Sequence, residues 1–187
     1  MAKITLNPLV KFIQGKVGDV VFKRQGDGVI LTRRPVSKKR PSPAQLAQRE
    51  KFKQATLYGR LVSADPARKA VYFQQSEARQ RPMFSLMIKD FMNAPVVEYV
   101  DVAKYRGAVG DEIVVLADDD FGVVAVTVTI SNSEGTVLTE GAAVETPVGS
   151  RRWVYVAETA VTPPVVVRVR AVDRPGNVGE KMVNGEW

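Results

Sequence analysis

The chain has 187 residues, with 27 Lys and Arg against 20 Asp and Glu, no His, no Cys and a formal net charge of +7. Without His or Cys it lacks the commonest general base and metal ligand and the most nucleophilic side chain, so most familiar active-site designs are excluded. It can form no disulfide, and its 45% hydrophobic residues must supply the core that holds the fold.

Charge is unevenly spread. Residues 1–100 carry 19 basic against 7 acidic side chains, a net +12, whereas residues 101–187 carry 8 against 13, a net −5. Such a swing implies two parts facing different partners, divided here as 1–95 and 96–187. The N-terminal residues lack the apolar core of a signal peptide, and no stretch approaches the roughly 18 apolar residues of a membrane span. The expectation is a soluble protein without Sec-type export, cytoplasmic or part of a virion-like particle.

The first element in chain order is a β-hairpin. Val17, Val20, Val21 and Phe22 lie in a short β-rich run that leads into Gln25-Gly26-Asp27-Gly28, and Val29-Ile30-Leu31-Thr32 returns. Gly and Asp supply the positive φ angles of a tight turn. With Gly26-Asp27 as the loop, Phe22 lies opposite Leu31, and Val20, Phe22, Val29 and Leu31 share an apolar face. A two-stranded ribbon is marginal in water, so that face needs a cover: the helices that follow or another subunit.

Residues 33–40 hold Arg33, Arg34, Lys38, Lys39 and Arg40, with Pro35 inside the run and Pro41 after it. This basic arm is expected to be extended and solvated. Ser42, Pro43 and Gln45 spell a capping box with proline at the first helical position. In the helix that follows, Phe52, Ala55, Tyr58 and Val62, flanked by Leu57 and Leu61, form an apolar stripe, with Gln48, Arg49, Lys53 and Arg60 outside it. Asp65-Pro66 repeats the start signal for a helix to about Ala78, with Ala67, Ala70, Val71 and Tyr72 as buried candidates. Pro82 opens a third, in which Phe84, Met87, Ile88 and Phe91 recur at the spacing of one buried face.

From residue 96 the chain turns to short β-rich runs: Val96–Tyr99, Ile113–Ala117, Val123–Ile130, Thr136–Thr139, Trp153–Ala157 and Val165–Val172. Regular short strands without intervening helices indicate a sandwich or barrel. The fold class expected is therefore an α+β module, a hairpin plus about three helices, followed by an all-β sandwich.

Three segments carry a resemblance: Asp119-Asp120-Phe121-Gly122 with the strand after it, Trp153-Val154-Tyr155, and Ala171-Val172-Asp173-Arg174-Pro175-Gly176-Asn177. Together they resemble bacterial immunoglobulin-like domains that end in an A-x-D-x-x-G-N turn. This implies an immunoglobulin-like sandwich over roughly half the chain, of a kind that serves as spacer, adhesin or decoration on cell surfaces, enzymes and phage particles. The N-terminal Gly15-Lys16-Val17-Gly18-Asp19-Val20-Val21-Phe22 and the Ala44-to-Phe52 helix resemble uncharacterised bacterial and phage-associated proteins that share this hairpin and helix.

Candidate sites are few. Asp118-Asp119-Asp120 offers oxygen ligands of the kind Ca²⁺ takes, but alternating directions in extended backbone split them between faces and no second acidic cluster has loop spacing. A solvated turn is expected, with no metal and no cofactor. Asp173 and Asn177 are expected to bond their own turn beside Gly176. Trp153 and Tyr155 share a strand face, which suits a core better than a sugar platform. The partner-binding residues assigned are Arg33, Arg34, Lys38, Lys39, Arg40, Arg49, Lys53, Phe22 and Leu31. They point to a non-enzymatic structural or accessory component of a bacterial or phage-type assembly, anchored through its N-terminal half to a protein partner or to copies of itself. The alternatives are nucleic-acid binding by the basic arm and carbohydrate binding by the sandwich; a small-molecule substrate is not expected.

Overall fold

The structure is a computed structural model that describes residues 2–4, 13–26, 28–34 and 40–185. It forms two compact units, Met1–Leu46 and Ala47–Trp187, so the three helices are grouped with the strands that follow them.

The first unit is a four-stranded antiparallel sheet in the order β1-β4-β3-β2, built from β1 (Ala2–Ile4), β2 (Gly15–Val17), β3 (Val20–Gln25) and β4 (Gly28–Arg33). The expected hairpin is β3–β4. Phe22 pairs with Leu31, Gln25 pairs with Gly28, and Gly26 takes φ +59° in the turn. Asp27 lies outside the described residues. Sequence reasoning missed the flanking strands, each of three residues. They pair with both edges of a ribbon that two strands alone would leave marginal. Val29 is buried, while Val20, Phe22 and Leu31 are half-buried.

Helix α1 (Pro43–Ala64) starts as expected: Gln45 N donates to Ser42 Oγ (3.3 Å) and Ser42 N to Gln45 Oε1 (3.1 Å). Helix α2 (Pro66–Arg79) is capped by Asp65, whose Oδ1 accepts from Ala67 N (2.9 Å) and Arg68 N (3.3 Å). It ends on Gln80 in the left-handed region, and α3 (Met83–Met92) follows.

In the second unit Val62, Tyr72, Leu86 and Met87 from the three helices meet Phe121 in one apolar cluster. Gly59 permits the approach of Phe84; a Cβ there would lie 2.8 Å from the Phe84 ring. Ala55 and Val62 are buried as expected, but Phe52, Leu57 and Leu61 are not. On α2 only Tyr72 of the four candidates is buried; Ala67 and Ala70 are exposed. On α3 the buried side chains are Leu86, Met87 and Asp90, and Phe84 is exposed, so the inward face is rotated from the apolar stripe toward Asp90.

Seven antiparallel strands follow: β5 (Val96–Asp101), β6 (Glu112–Asp118), β7 (Ala125–Asn132), β8 (Val137–Glu145), β9 (Arg152–Val156), β10 (Val165–Val172) and β11 (Val178–Gly185). Their order is β11-β10-β7-β8-β9-β6-β5. β8 pairs with β7 along its first part and with β9 at Val144 and Glu145, so one strand passes between the two halves. The sheet folds back until β5 touches β10 and β11. Gly179 makes that closure possible, because a Cβ there would stand 1.9 Å from the Pro95 carbonyl oxygen.

Alternation sets the core, as it must in strands with one wet face. Ile113, Val115 and Ala117 of β6 point inward, as do Val165, Val167, Val169 and Ala171 of β10. Each fully buried Val contributes roughly 1.5–3 kcal/mol relative to exposure. Trp153 and Tyr155 lie in this core, so they form no surface platform. Strand β11 was missed from sequence: Glu180, Lys181 and Asn184 and two glycines interrupt its apolar residues, and its one buried residue is Gly185.

Candidate acidic centre and docking surfaces

The residues assigned from sequence to partner binding fall into separate groups. Phe22 and Leu31 face each other across β3 and β4. Arg33, Arg34 and Arg40 are exposed, Arg34 N donating to Asp19 O (2.7 Å); Lys38 and Lys39 lie outside the described residues. Arg49 and Lys53 are exposed on α1, and Lys53 pairs with Glu50 at 3.0 Å. Beside them Leu57 and Leu61, 58% and 60% exposed, follow Lys53 at the spacing of one helix face. Phe52, 53% exposed, is also uncovered. The stripe read from sequence as one buried face is thus divided: Ala55, Gly59 and Val62 face the core, and the two leucines face outward.

A second constellation was not foreseen. Its first member is Asp90, in the last turn of α3 and 1% exposed. The apolar neighbours of Asp90 carry that helix face inward and take the carboxylate with them. Its second is Asp173, 2% exposed, at the end of β10. Asp173 Oδ1 accepts from Gly176 N (2.9 Å) and Asn177 N (2.6 Å), which closes the turn as expected, with Gly176 at φ +94°. Asn177 Nδ2 donates to Asp173 Oδ2 (2.7 Å) and to Asn93 O (2.9 Å), tying that turn to the end of α3. The third is Asp119, partly buried in the connection between β6 and β7, where Oδ2 accepts from Phe121 N at 2.8 Å. One carboxylate oxygen from each of the three lies within 4.8 Å of the others.

The side chains of the Asp118–Asp120 run take separate partners. Asp118 pairs with Arg151 (2.9 Å) and Asp120 with Lys89 (2.8 Å), while Asp119 turns to Asp90 and Asp173. Among the described residues no ion pair reaches Asp90, Asp119 or Asp173. The nearby guanidinium of Arg174 donates to the Phe121 carbonyl. Lys89 beside Asp120 holds that carboxyl below the usual carboxylate range. Burial pushes Asp90 up to about 6, against a hydrogen bond from Tyr72 that pulls it down, with the charges of Asp119 and Asp173 adding to the rise. Asp173 is also raised, chiefly by burial.

Tyr72 links this centre to α1. Its hydroxyl donates to Asp90 Oδ2, and Tyr58 Oη lies 2.8 Å from it. A phenol has one proton, so with that of Tyr72 given to Asp90, Tyr58 donates to Tyr72. Burial raises both phenols above their usual value, Tyr72 much the more, so both are neutral at physiological pH. Two openings flank the chain of bonds. A cleft of about 440 Å³ is lined by Tyr58, Tyr72, Val124 and Arg174. A second, of about 560 Å³, is lined by Asn93, Glu98 and all three aspartates of the 118–120 run. Only the tertiary fold could reveal this centre: the three carboxylates sit on separate elements, and Asp90 reads in sequence as one more polar residue of an amphipathic helix.

No family model matches the chain, and no curated protein matches it. Among solved structures it is similar to CopC from Methylosinus trichosporium OB3b, at 16% identity and a TM-score of 0.36, over 48% of this chain and 89% of that one.

Proposed function

We propose that the chain is a non-enzymatic structural or accessory component of a larger bacterial or phage-type assembly, that its basic N-terminal half docks on an acidic protein surface, and that its seven strands form a displayed immunoglobulin-like domain. The strand order supports the last part. Taken in sequence as A, B, C, a bridging strand, E, F and G, the order β11-β10-β7-β8-β9-β6-β5 puts G beside F beside C and E beside B beside A, the pairings of an immunoglobulin sandwich.

The observation that carries the docking role is the outer face of α1, where Leu57 and Leu61 lie exposed alongside Arg49, Lys53 and Arg60. Leucines on a helix face away from its own core add nothing to the fold of the chain, and cations flanking an apolar centre suit a partner surface of opposite charge. Arg33, Arg34 and Arg40 extend the same chemistry along the chain.

Sedimentation tests this reading. The full chain, expressed in its native background, is expected in the particle or complex fraction, and Leu57→Ser with Leu61→Ser is expected to shift it to the free fraction without loss of thermal stability. A parent chain that runs as a free monomer at low and physiological salt refutes the docking role. Retention on DNA that falls steeply with salt, and disappears when Arg33, Arg34 and Arg40 are changed to Gln, would replace the protein partner by nucleic acid.

A further inference from the structure

We propose that Asp90, Asp119 and Asp173 form a binding site for a divalent oxygen-seeking cation, Ca²⁺ in preference to Mg²⁺, which joins α3 to two turns at one end of the β-sandwich. Three observations carry this. The carboxylate oxygens lie within 4.8 Å of one another, close enough to share one ion bound at about 2.3–2.6 Å, and three protein carboxylates suit Ca²⁺, whereas Mg²⁺ is usually held by one or two and keeps its waters. The Oδ1 atom of Asp90 is buried and has no hydrogen-bond partner among the described residues, in a side chain whose other oxygen already accepts from Tyr72.

The third observation is the choice of partners. Asp118 and Asp120, the neighbours of Asp119, each hold a cationic side chain, yet the three clustered carboxylates have no ion pair among the described residues. Like charges this close, taken out of water, are unfavourable without a counter-charge. A divalent ion would neutralise most of the local charge and satisfy the orphaned oxygen. The groove that Glu98 and Asp119 help to line opens the Asp119 carboxylate to solvent.

The ion would act as a clamp. Asp90 belongs to a helix, Asp119 to the β6–β7 connection and Asp173 to the β10–β11 turn, so one ion would bind three elements of the second unit together. Unlike the docking proposal, this one rests on residues away from the outer face of α1, and either can fail alone.

The test uses the full chain stripped with EGTA and titrated calorimetrically with Ca²⁺ and then Mg²⁺, followed by Tb³⁺ luminescence excited through tyrosine, since the Tyr72 hydroxyl bonds a proposed ligand. One Ca²⁺ per chain is expected, with a melting temperature that rises with Ca²⁺ and a Tb³⁺ signal that Ca²⁺ displaces. Asp119→Asn should weaken Ca²⁺ at least about tenfold, and Asp90→Asn likewise, whereas Asp118→Asn should leave the affinity within about twofold, because its charge is already held by Arg151. Asp119 is partly exposed, so its variant decides the matter if Asp90→Asn does not fold. No Ca²⁺ uptake at millimolar concentration, binding unchanged in Asp119→Asn, equal loss in Asp118→Asn, or tighter Mg²⁺ than Ca²⁺ would each overturn the proposal.

Discussion

Replacing Tyr72 by Phe removes one oxygen from a buried chain of hydrogen bonds and leaves the ring, packed at 5.6 Å from Phe121, in place. The loss falls mainly on Asp90. Its Oδ1 has no partner already, and without Tyr72 its Oδ2 loses the hydroxyl that donates to it. A hydrogen bond to a charged group contributes about 1.5–3 kcal/mol, against about 1 kcal/mol for a neutral pair. Tyr72→Phe is therefore expected to destabilise the chain by about 2–3 kcal/mol and Tyr58→Phe by about 1 kcal/mol. With a urea dependence of about 2 kcal/mol per molar, the first would move the unfolding midpoint by about 1–1.5 M.

The effect should depend on pH in a defined direction. Burial holds the Asp90 carboxyl up to about 6 in the folded chain against an ordinary 3.8, so the folded state binds this proton more tightly and stability is lost as the pH rises from about 3.8 to about 6. The Tyr72 hydroxyl favours the ionised form. Its removal raises the folded-state value further, so the loss should grow as the pH rises above about 6 and be smallest, and nearly constant, between about 6 and 4, measured by urea unfolding with EGTA present throughout. Equal losses for Tyr58→Phe and Tyr72→Phe, or a Tyr72→Phe loss that grows as the pH falls, would refute this account of the centre.

Two glycines should be intolerant for the space they leave rather than for their backbone angles. A Cβ at Gly141 would meet the buried Tyr155 ring at 2.7 Å, so Gly141→Ala is expected to cost about 1–3 kcal/mol in thermal unfolding. Gly179→Ala should cost more, because its Cβ would meet the Pro95 carbonyl, which is backbone and cannot rotate aside; the reverse ranking would refute the closure of β5 against β11. The helix starts make a smaller prediction. Asp65→Ala and Ser42→Ala should each cost about 1 kcal/mol of stability, read from urea midpoints, and Ala at both should be additive, since the two caps share no partner.

Elements whose instructions are local were legible in the sequence alone. The β3–β4 register followed from a two-residue loop, which places Phe22 opposite Leu31. The starts of α1 and α2 followed from Ser42-Pro43 and Asp65-Pro66, because a capping side chain bonds only the next two or three amides. The alternation in β10 identified its core face because period two leaves no other way to bury Val165, Val167 and Val169 together. The short strands β1 and β2, and β11 with its two glycines and three polar residues, carry too little pattern of their own; pairing with a neighbour makes them strands.

What the sequence could not decide is which surfaces meet. The apolar spacing of α1 admits more than one inward face, and contact with α2 and α3 selected Ala55 and Val62 while leaving Leu57 and Leu61 in solvent. The apolar stripe of α3 pointed to Phe84, but packing turned the helix so that Asp90 went inside. The acidic centre exists only because that turn brings Asp90 to Asp119 and Asp173, carboxylates far away along the chain. Periodicity records the preferences of one element at a time, whereas a site built from three elements is decided by where their backbones come to rest.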